Sequence, residues 1–188
     1  MAEYHRALHR RIAGILSRMD AKFLEQAGIL LEREVRAERD AIRTYIREDK
    51  SAAPIKFEIV VEARIDVKRI LDPELGVPVL DLRYAIAEKL LANADRGMTK
   101  EHRARDVIDL AFISLQADEA DFQAGREIAE GPYGQVILRE LDEVLKMLTL
   151  DTKFRSLCVA ELLIEDPKAL RKGLDKLRVL KRAARKLK

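Results

Sequence analysis

The 188-residue chain has no tryptophan, one cysteine, five prolines and eight glycines, and only 5 % of its residues are aromatic. A single thiol, Cys158, closes no internal disulfide and has no second cysteine with which to build a thiolate metal site, so a reducing, cytoplasmic setting is expected. Scarce proline and glycine exclude a low-complexity or turn-dense chain. No run approaches the ~20 apolar residues that cross a bilayer. The N-terminal "MAEYHRALHRRIAGILSRMD" carries charge on every turn, unlike a secretory leader, so neither export nor a membrane span is expected.

What is present is a strongly charged, helix-compatible sequence: 48 % hydrophobic, 37 % charged, with a net charge of +3. That length suits one domain with a real core. The charge is uneven. Residues 168–188 hold ten Lys/Arg and one Asp, a balance of +9, which leaves +3 − 9 = −6 for residues 1–167. Basicity is a property of the C-terminal segment.

Hydrophobic spacing predicts one long amphipathic helix from Glu3 to about Gly28, with "ILLEREVRAERD" after it still helix-compatible but ambiguous. "AIRTYIRE" (41–48) and "IKFEIVVEARI" (55–65) alternate and carry β-branched and aromatic residues, which predicts a hairpin around "DKSAAP". Ile55, Phe57, Ile59 and Val61 then share one strand face and Lys56, Glu58 and Val60 the other. "VPVL" (77–80) predicts a third, edge-like strand. Beyond Arg83 the pattern is helical throughout, in segments of about 83–96, 102–116, 119–130, 133–149, 152–164 and 168–187. Breaks fall at Gly97, near Ala117, at "EGPYG", at "TLD" and at "EDP", where Pro167 opens a helix.

The stretch "AIAEKLLANADRGMTKEHRARDVIDLAFI" (85–113) predicts two antiparallel helices with Lys89 and Asp106 both near the turn, close enough for direct contact. Taken alone, that contact is a salt bridge fixing the hairpin. Arg105 and Asp109, four residues apart, suit a surface pair, and Glu58 suits pairing with Arg43 or Lys56. His5 and His9 share a helix face at a metal-binding spacing but have no evident third ligand, so a solvated face is the better account. Cys158, among Leu157, Val159 and Leu162, reads as core.

"GVPVLDLRYAIAEKLLANADRG" followed by "RARDVIDLAFI", with "YHRALHRRIAGIL" and "PIKFEIVVEARI" upstream, resembles the nucleotidyltransferase AbiEii/AbiGii toxin family over most of residues 4–115. The resemblance implies an α+β, mostly helical fold with a small mixed sheet and a C-terminal helical bundle. It also implies transfer of a nucleotidyl group from a nucleoside triphosphate with Mg2+, in a toxin-antitoxin or phage-defence setting. By that likeness Glu58 stands where a strand-borne carboxylate would meet the metal, Lys89 would meet the triphosphate, and Asp106 would position the acceptor or the lysine. The family's Gly-Gly or Gly-Ser pair ahead of an Asp-x-Asp is absent: all eight glycines are isolated, and no Asp-x-Asp occurs. That element belongs between about Ala27 and Glu38. Its loss implies a nucleotidyltransferase-like protein truncated through its nucleotide-binding core and inactive.

The segment after Asp166 places Leu170, Leu174, Leu177, Val179 or Leu180, Ala184 and Leu187 at helical spacing, with Arg171, Lys172, Arg178, Lys181, Arg182 and Arg185 elsewhere on the helix. Such a helix can track a phosphate backbone, dock on an acidic body or lie on a membrane surface, although no aromatic residue is present for base stacking. Gly173 weakens it by roughly 1 kcal/mol relative to Ala. The expected organisation is 1–82 as a helix plus truncated sheet, 83–167 as a bundle and 168–188 as a basic helix, within one compact domain. An antitoxin-like protein, RNA or a second copy of the chain are the partners to expect. A non-catalytic module binding protein or RNA through its bundle and basic helix is the alternative function.

Overall fold

A computed structural model describes residues 30–32, 36–37, 41–74, 76, 78–97, 99 and 104–186, with the side chains of 37, 42, 59 and 184–186 set aside. The expected helix from Glu3 to Gly28, with His5 and His9, lies outside these residues. The chain divides by its internal contacts into two units, Met1–Ala63 and Arg64–Lys188.

The first unit contains β1 (Leu30–Leu31), β2 (Arg36–Ala37), β3 (Ala41–Arg47) and β4 (Ile55–Val60). The predicted hairpin is β3–β4, antiparallel with Arg43 opposite Glu58 and Tyr45 opposite Lys56. Its turn is built by Asp49, whose carboxylate accepts from the backbone N–H groups of Ser51 and Ala52 and from the Ser51 hydroxyl. These bonds favour the ionised carboxylate and lower its pKa. β1 and β2 pair with the other edge of β3: Leu30 faces Arg47, and Arg36 faces Arg43. "ILLEREVRAERD", compatible with a helix by its spacing, thus supplies strand residues, because an open edge of β3 offers backbone hydrogen bonds that outweigh weak local preference. The described pairings of the sheet expected to be mixed are all antiparallel.

In the second unit, β5 (Arg69–Leu71) pairs antiparallel with β6 (Pro78–Leu80). The edge strand expected at "VPVL" is β6. Its partner β5, three exposed residues long, has too little pattern to be visible in sequence.

Six helices follow among the described residues: α1 (Leu82–Arg96), α2 (Arg105–Gln116), α3 (Glu119–Tyr133), α4 (Val136–Leu150), α5 (Thr152–Glu161) and α6 (Pro167–Lys186). Four of them, α1, α3, α5 and α6, start at aspartates that satisfy otherwise orphaned N–H groups. Asp81 accepts from Arg83 N, Asp118 and Asp121 form a reciprocal capping box, Asp151 accepts from Phe154 N, and Asp166 accepts from Lys168 N and Ala169 N. Two helix ends differ from expectation. α3 runs through Gly131 and Pro132 to Tyr133 and stops at Gly134, whose φ of 59° takes the left-handed conformation that glycine tolerates. α5 stops at Glu161, three residues early, because Leu163 turns left-handed at φ 52°. Leu163 N then donates to Ala160 O and Ile164 N to Val159 O, a Schellman closure with leucine in the usual glycine position.

Leu90 and Leu91 of α1, Val107 and Leu110 of α2, Phe122 of α3, and Leu141 and Leu145 of α4 are buried in one core, which also takes Cys158. α1 packs on α2, α3 and α4, and α6 packs on α2, α3 and α4. The basic segment therefore docks on its own chain, burying Leu170, Leu174, Leu177 and Leu180. Gly173 makes this possible. A Cβ there would lie 2.7 Å from the Ala111 carbonyl carbon and closer still to its oxygen, so α6 crosses α2 at a distance only glycine permits. The Ser114 hydroxyl sits in the same crossing, 2.7 Å from Ala111 O and 3.0 Å from Gly173 O. The propensity cost assigned to Gly173 is the condition for close packing.

Asp81 does two jobs at the head of α1. It caps the helix, and its Oδ2 meets Arg83 Nη2 at 2.8 Å. The Arg83 hydrogen bond draws the Asp81 pKa from 3.8 down to about 2. A folded-state pKa below the unfolded one contributes stability that is complete above the unfolded value and lost as pH falls through the folded one. We expect acid unfolding of α1 to include a protonation that begins below about pH 4 and has its midpoint near 2, measurable as the Asp81 carboxyl 13C shift. Asp81→Asn should remove this step and leave the cap largely intact, since asparagine caps nearly as well.

Candidate functional site

The sequence of α1 repeats an acid-base dipeptide seven residues apart, Glu88-Lys89 and Asp95-Arg96. Seven residues are close to two helical turns, so the two acids form one stripe and the two bases an adjacent one. Each stripe clamps a single opposite charge.

The basic stripe clamps Asp106. Arg96 Nε and Nη2 donate to its two oxygens at 3.0 and 3.2 Å, and Lys89 Nζ lies 3.7 Å from Oδ1. The Asp106 side chain is 1 % exposed, whereas those of Lys89 and Arg96 are 32 % and 46 % exposed. A carboxylate is thus buried beneath two cations that reach solvent. Its hydrogen bonds to Arg96 favour the guanidinium ion and raise the pKa of Arg96. Lys89 Nζ also bonds Asp109 Oδ2 at 2.5 Å. The backbone sets this up at Ala104, buried and left-handed at φ 55°, which turns the chain into α2 two residues before Asp106.

The expected Lys89–Asp106 contact is therefore present. The expected Arg105–Asp109 pair is not: Asp109 turns to Lys89 on the facing helix, and Arg105 stays exposed at the start of α2. Packing of α1 against α2 brings a cation to Asp109 across the helix interface, and this competes successfully with a weak pair along the helix surface. Arg96 is the member of the cluster that sequence reasoning missed as a ligand of Asp106. Its seven-residue spacing from Lys89 was the available signal.

The acidic stripe clamps Arg64, which meets Glu88 Oε2 at 3.0 Å and Asp95 Oδ2 at 2.8 Å. Tyr133, at the end of α3, donates its hydroxyl to Asp95 Oδ1 at 2.5 Å. That bond, reinforced by burial, raises the tyrosine pKa. Glu58 belongs to the first unit, where Arg43 Nε lies 2.6 Å from Oε1 and Lys56 Nζ 2.9 Å from Oε2. Both partners expected from the strand pattern are engaged, and the bonds to Lys56 and then Arg43 lower the Glu58 pKa.

Among the described residues no group of three or more His, Cys, Asp or Glu side chains is arranged to hold a metal ion. No described helix is long and apolar enough to cross a membrane.

The basic residues expected on one binding helix fall on different faces of α6. Arg171, Lys172 and Arg182 are exposed, and Arg178 is half-buried with Nη1 3.5 Å from Asp175 Oδ1. Lys181 is buried and ion-paired with Asp142 of α4, so it anchors the helix and leaves the outer cationic face to its neighbours. The side chain of Arg185 lies outside the described residues.

A small sheet followed by a helical bundle, with lysine and aspartate facing each other across the first helical hairpin, is the arrangement implied by the "EKL" and "RDVIDL" motifs, the described strand pairs being antiparallel where a mixed sheet was expected. The family model for the nucleotidyl transferase AbiEii toxin of type IV toxin-antitoxin systems matches residues 2–174, and the chain belongs to that family. No curated protein and no solved structure matches it.

Proposed function

We propose that this AbiEii-family chain does not transfer nucleotides and that Lys89, Arg96, Asp106 and Asp109 serve as a brace between α1 and α2. The observation that carries this reading is the state of Asp106: fully buried and held by two hydrogen bonds from Arg96, it presents no oxygen to a metal or an acceptor. The chemistry of nucleotidyl transfer calls for two or three carboxylates on Mg2+ and for small residues that let backbone N–H groups approach phosphates. The two carboxylates singled out by the resemblance, with the neighbouring Asp109, are each committed to cations: Glu58 to Arg43 and Lys56, Asp106 to Arg96 and Lys89, and Asp109 to Lys89. They do not fit a magnesium centre. Residues 30–32 and 36–37, within the stretch where the family's glycine pair and Asp-x-Asp belong, are Leu-Leu-Glu and Arg-Ala.

The protein then acts in the cytoplasm as a catalytically silent relative of the toxin, in phage defence, beside an antitoxin-like partner. Calorimetry of the full chain with ATP, CTP, GTP and UTP in magnesium tests this. No binding heat and no incorporation of labelled nucleotide into RNA or protein is the expected outcome. Triphosphate-dependent labelling that disappears in Lys89→Ala would overturn it and restore Lys89 as a phosphate-binding residue.

A further inference from the structure

α5 and α6 leave an open groove of about 710 Å3 between them. Arg155 and Ser156 line it from α5, and Lys168, Arg171, Lys172 and Asp175 from α6. Charge pairing sets this groove apart. On α1–α4 every cation except Arg105 has a carboxylate within ion-pairing distance: Arg83, Lys89, Arg96, Arg126, Arg139 and Lys146. Around the groove the pattern inverts, and Arg155, Lys168, Arg171 and Lys172 have no carboxylate partner among the described residues. Arg155 is nevertheless held in place. Its Nη1 donates to Leu148 O and Thr149 O at the end of α4, which fixes the guanidinium at the rim and leaves Nε and Nη2 without an acceptor among the described residues.

We propose that this groove binds the phosphate backbone of double-helical RNA, a role independent of whether the chain transfers nucleotides. Four cations share the groove with one carboxylate, Asp175, which is already paired with Arg178, so a net positive charge remains for an anion to neutralise, and a polyanion does so with release of its condensed counterions. The exposed cations of α6 run from Lys168 to Arg182, about 21 Å along the helix at its ordinary rise, long enough to follow several phosphates. Among the described residues no aromatic side chain lines the groove, so it offers no stacking surface of the kind single strands use, which favours a duplex read through its backbone. Two further groups select RNA over DNA. The Ser156 hydroxyl and the Asp175 carboxylate stand among the cations, and a ribose 2′-OH can donate to the carboxylate that would otherwise repel a phosphate.

Fluorescence anisotropy of the full chain with a short RNA duplex, the matching DNA duplex and the single strand tests the assignment, with poly-glutamate as competitor. RNA duplex affinity should fall by about 100-fold between roughly 50 and 200 mM salt, as expected for some four neutralised phosphates. The double variant Arg171→Glu/Lys172→Glu should weaken binding at least ~10-fold and reduce the slope of log K against log salt by about 1 to 2. Asp175→Asn should narrow the preference for RNA over DNA, and Arg139→Glu, away from the groove, should change nothing. All of these side chains are exposed, so circular dichroism should be unaltered. Unchanged affinity in the double variant, equal binding of the two duplexes, or displacement of RNA by poly-glutamate at comparable charge concentration would overturn the proposal.

Discussion

Gly173→Ala is expected to lower the stability of the protein by about 2–3 kcal/mol, opposite in sign to what the helix propensities of the two residues predict. Helix propensity alone favours the substitution by about 1 kcal/mol, because alanine loses less backbone entropy than glycine. The crossing of α6 over α2 reverses this. The added methyl would be 2.7 Å from the carbonyl carbon of Ala111, and the obstacle is main chain, which cannot swing aside as a long side chain would. Relief requires α6 to lift from α2. That would weaken burial of Leu170, Leu174 and Leu177 and separate Ser114 from Gly173 O. Urea unfolding followed by circular dichroism measures the effect as a lower midpoint at unchanged slope. An unchanged or raised midpoint would mean that the two helices are not in close contact.

Asp106→Ala should cost about 2–3 kcal/mol, whereas Asp109→Ala should cost less than about 1. Both aspartates meet Lys89, so the difference comes from burial: Asp106 is 1 % exposed and Asp109 35 %. Removal of Asp106 leaves a small cavity and two cations brought close together. Because Lys89 and Arg96 both reach solvent, they rehydrate, which keeps the cost below that of stranding a fully buried charge. A double-mutant cycle of Asp106→Ala with Arg96→Ala should return a coupling of about 1–3 kcal/mol, and the cycle with Lys89→Ala a smaller one. Equal coupling to both would contradict the geometry, in which Arg96 makes two hydrogen bonds to Asp106 and Lys89 stands 3.7 Å away.

The helical half of the molecule was legible because its periodicity is strong and its starts carry conventional caps: Asp118, Asp151 and Asp166 each stand where a helix was expected to begin. The ends of α3 and α5 were less so. Whether a helix passes through Gly131-Pro132, or stops at a left-handed Leu163, depends on tertiary packing that outweighs the local preferences of those residues. The segment around Leu30 and Arg36 was ambiguous for the same reason in a different form. Strand residues there take their hydrogen bonds from β3, which no spacing within the segment encodes.

For the site, proximity of Lys89 and Asp106 followed from sequence, since two helices of known spacing joined by a short turn bring equivalent positions together. The partners did not follow. Arg96 took Asp106, Lys89 took Asp109, and Lys181 turned inward to Asp142, away from the outer face of the basic helix. By itself the sequence determined the family, the α+β class, the run of helices and the concentration of positive charge in the last helix. These are local or cumulative properties, carried by residue type and period. Only the tertiary structure decided which cations are spent on carboxylates and which remain on the surface, because ion pairing depends on distances across packed helices. That division underlies both proposals, a brace at the α1–α2 cluster and a polyanion site in the α5–α6 groove.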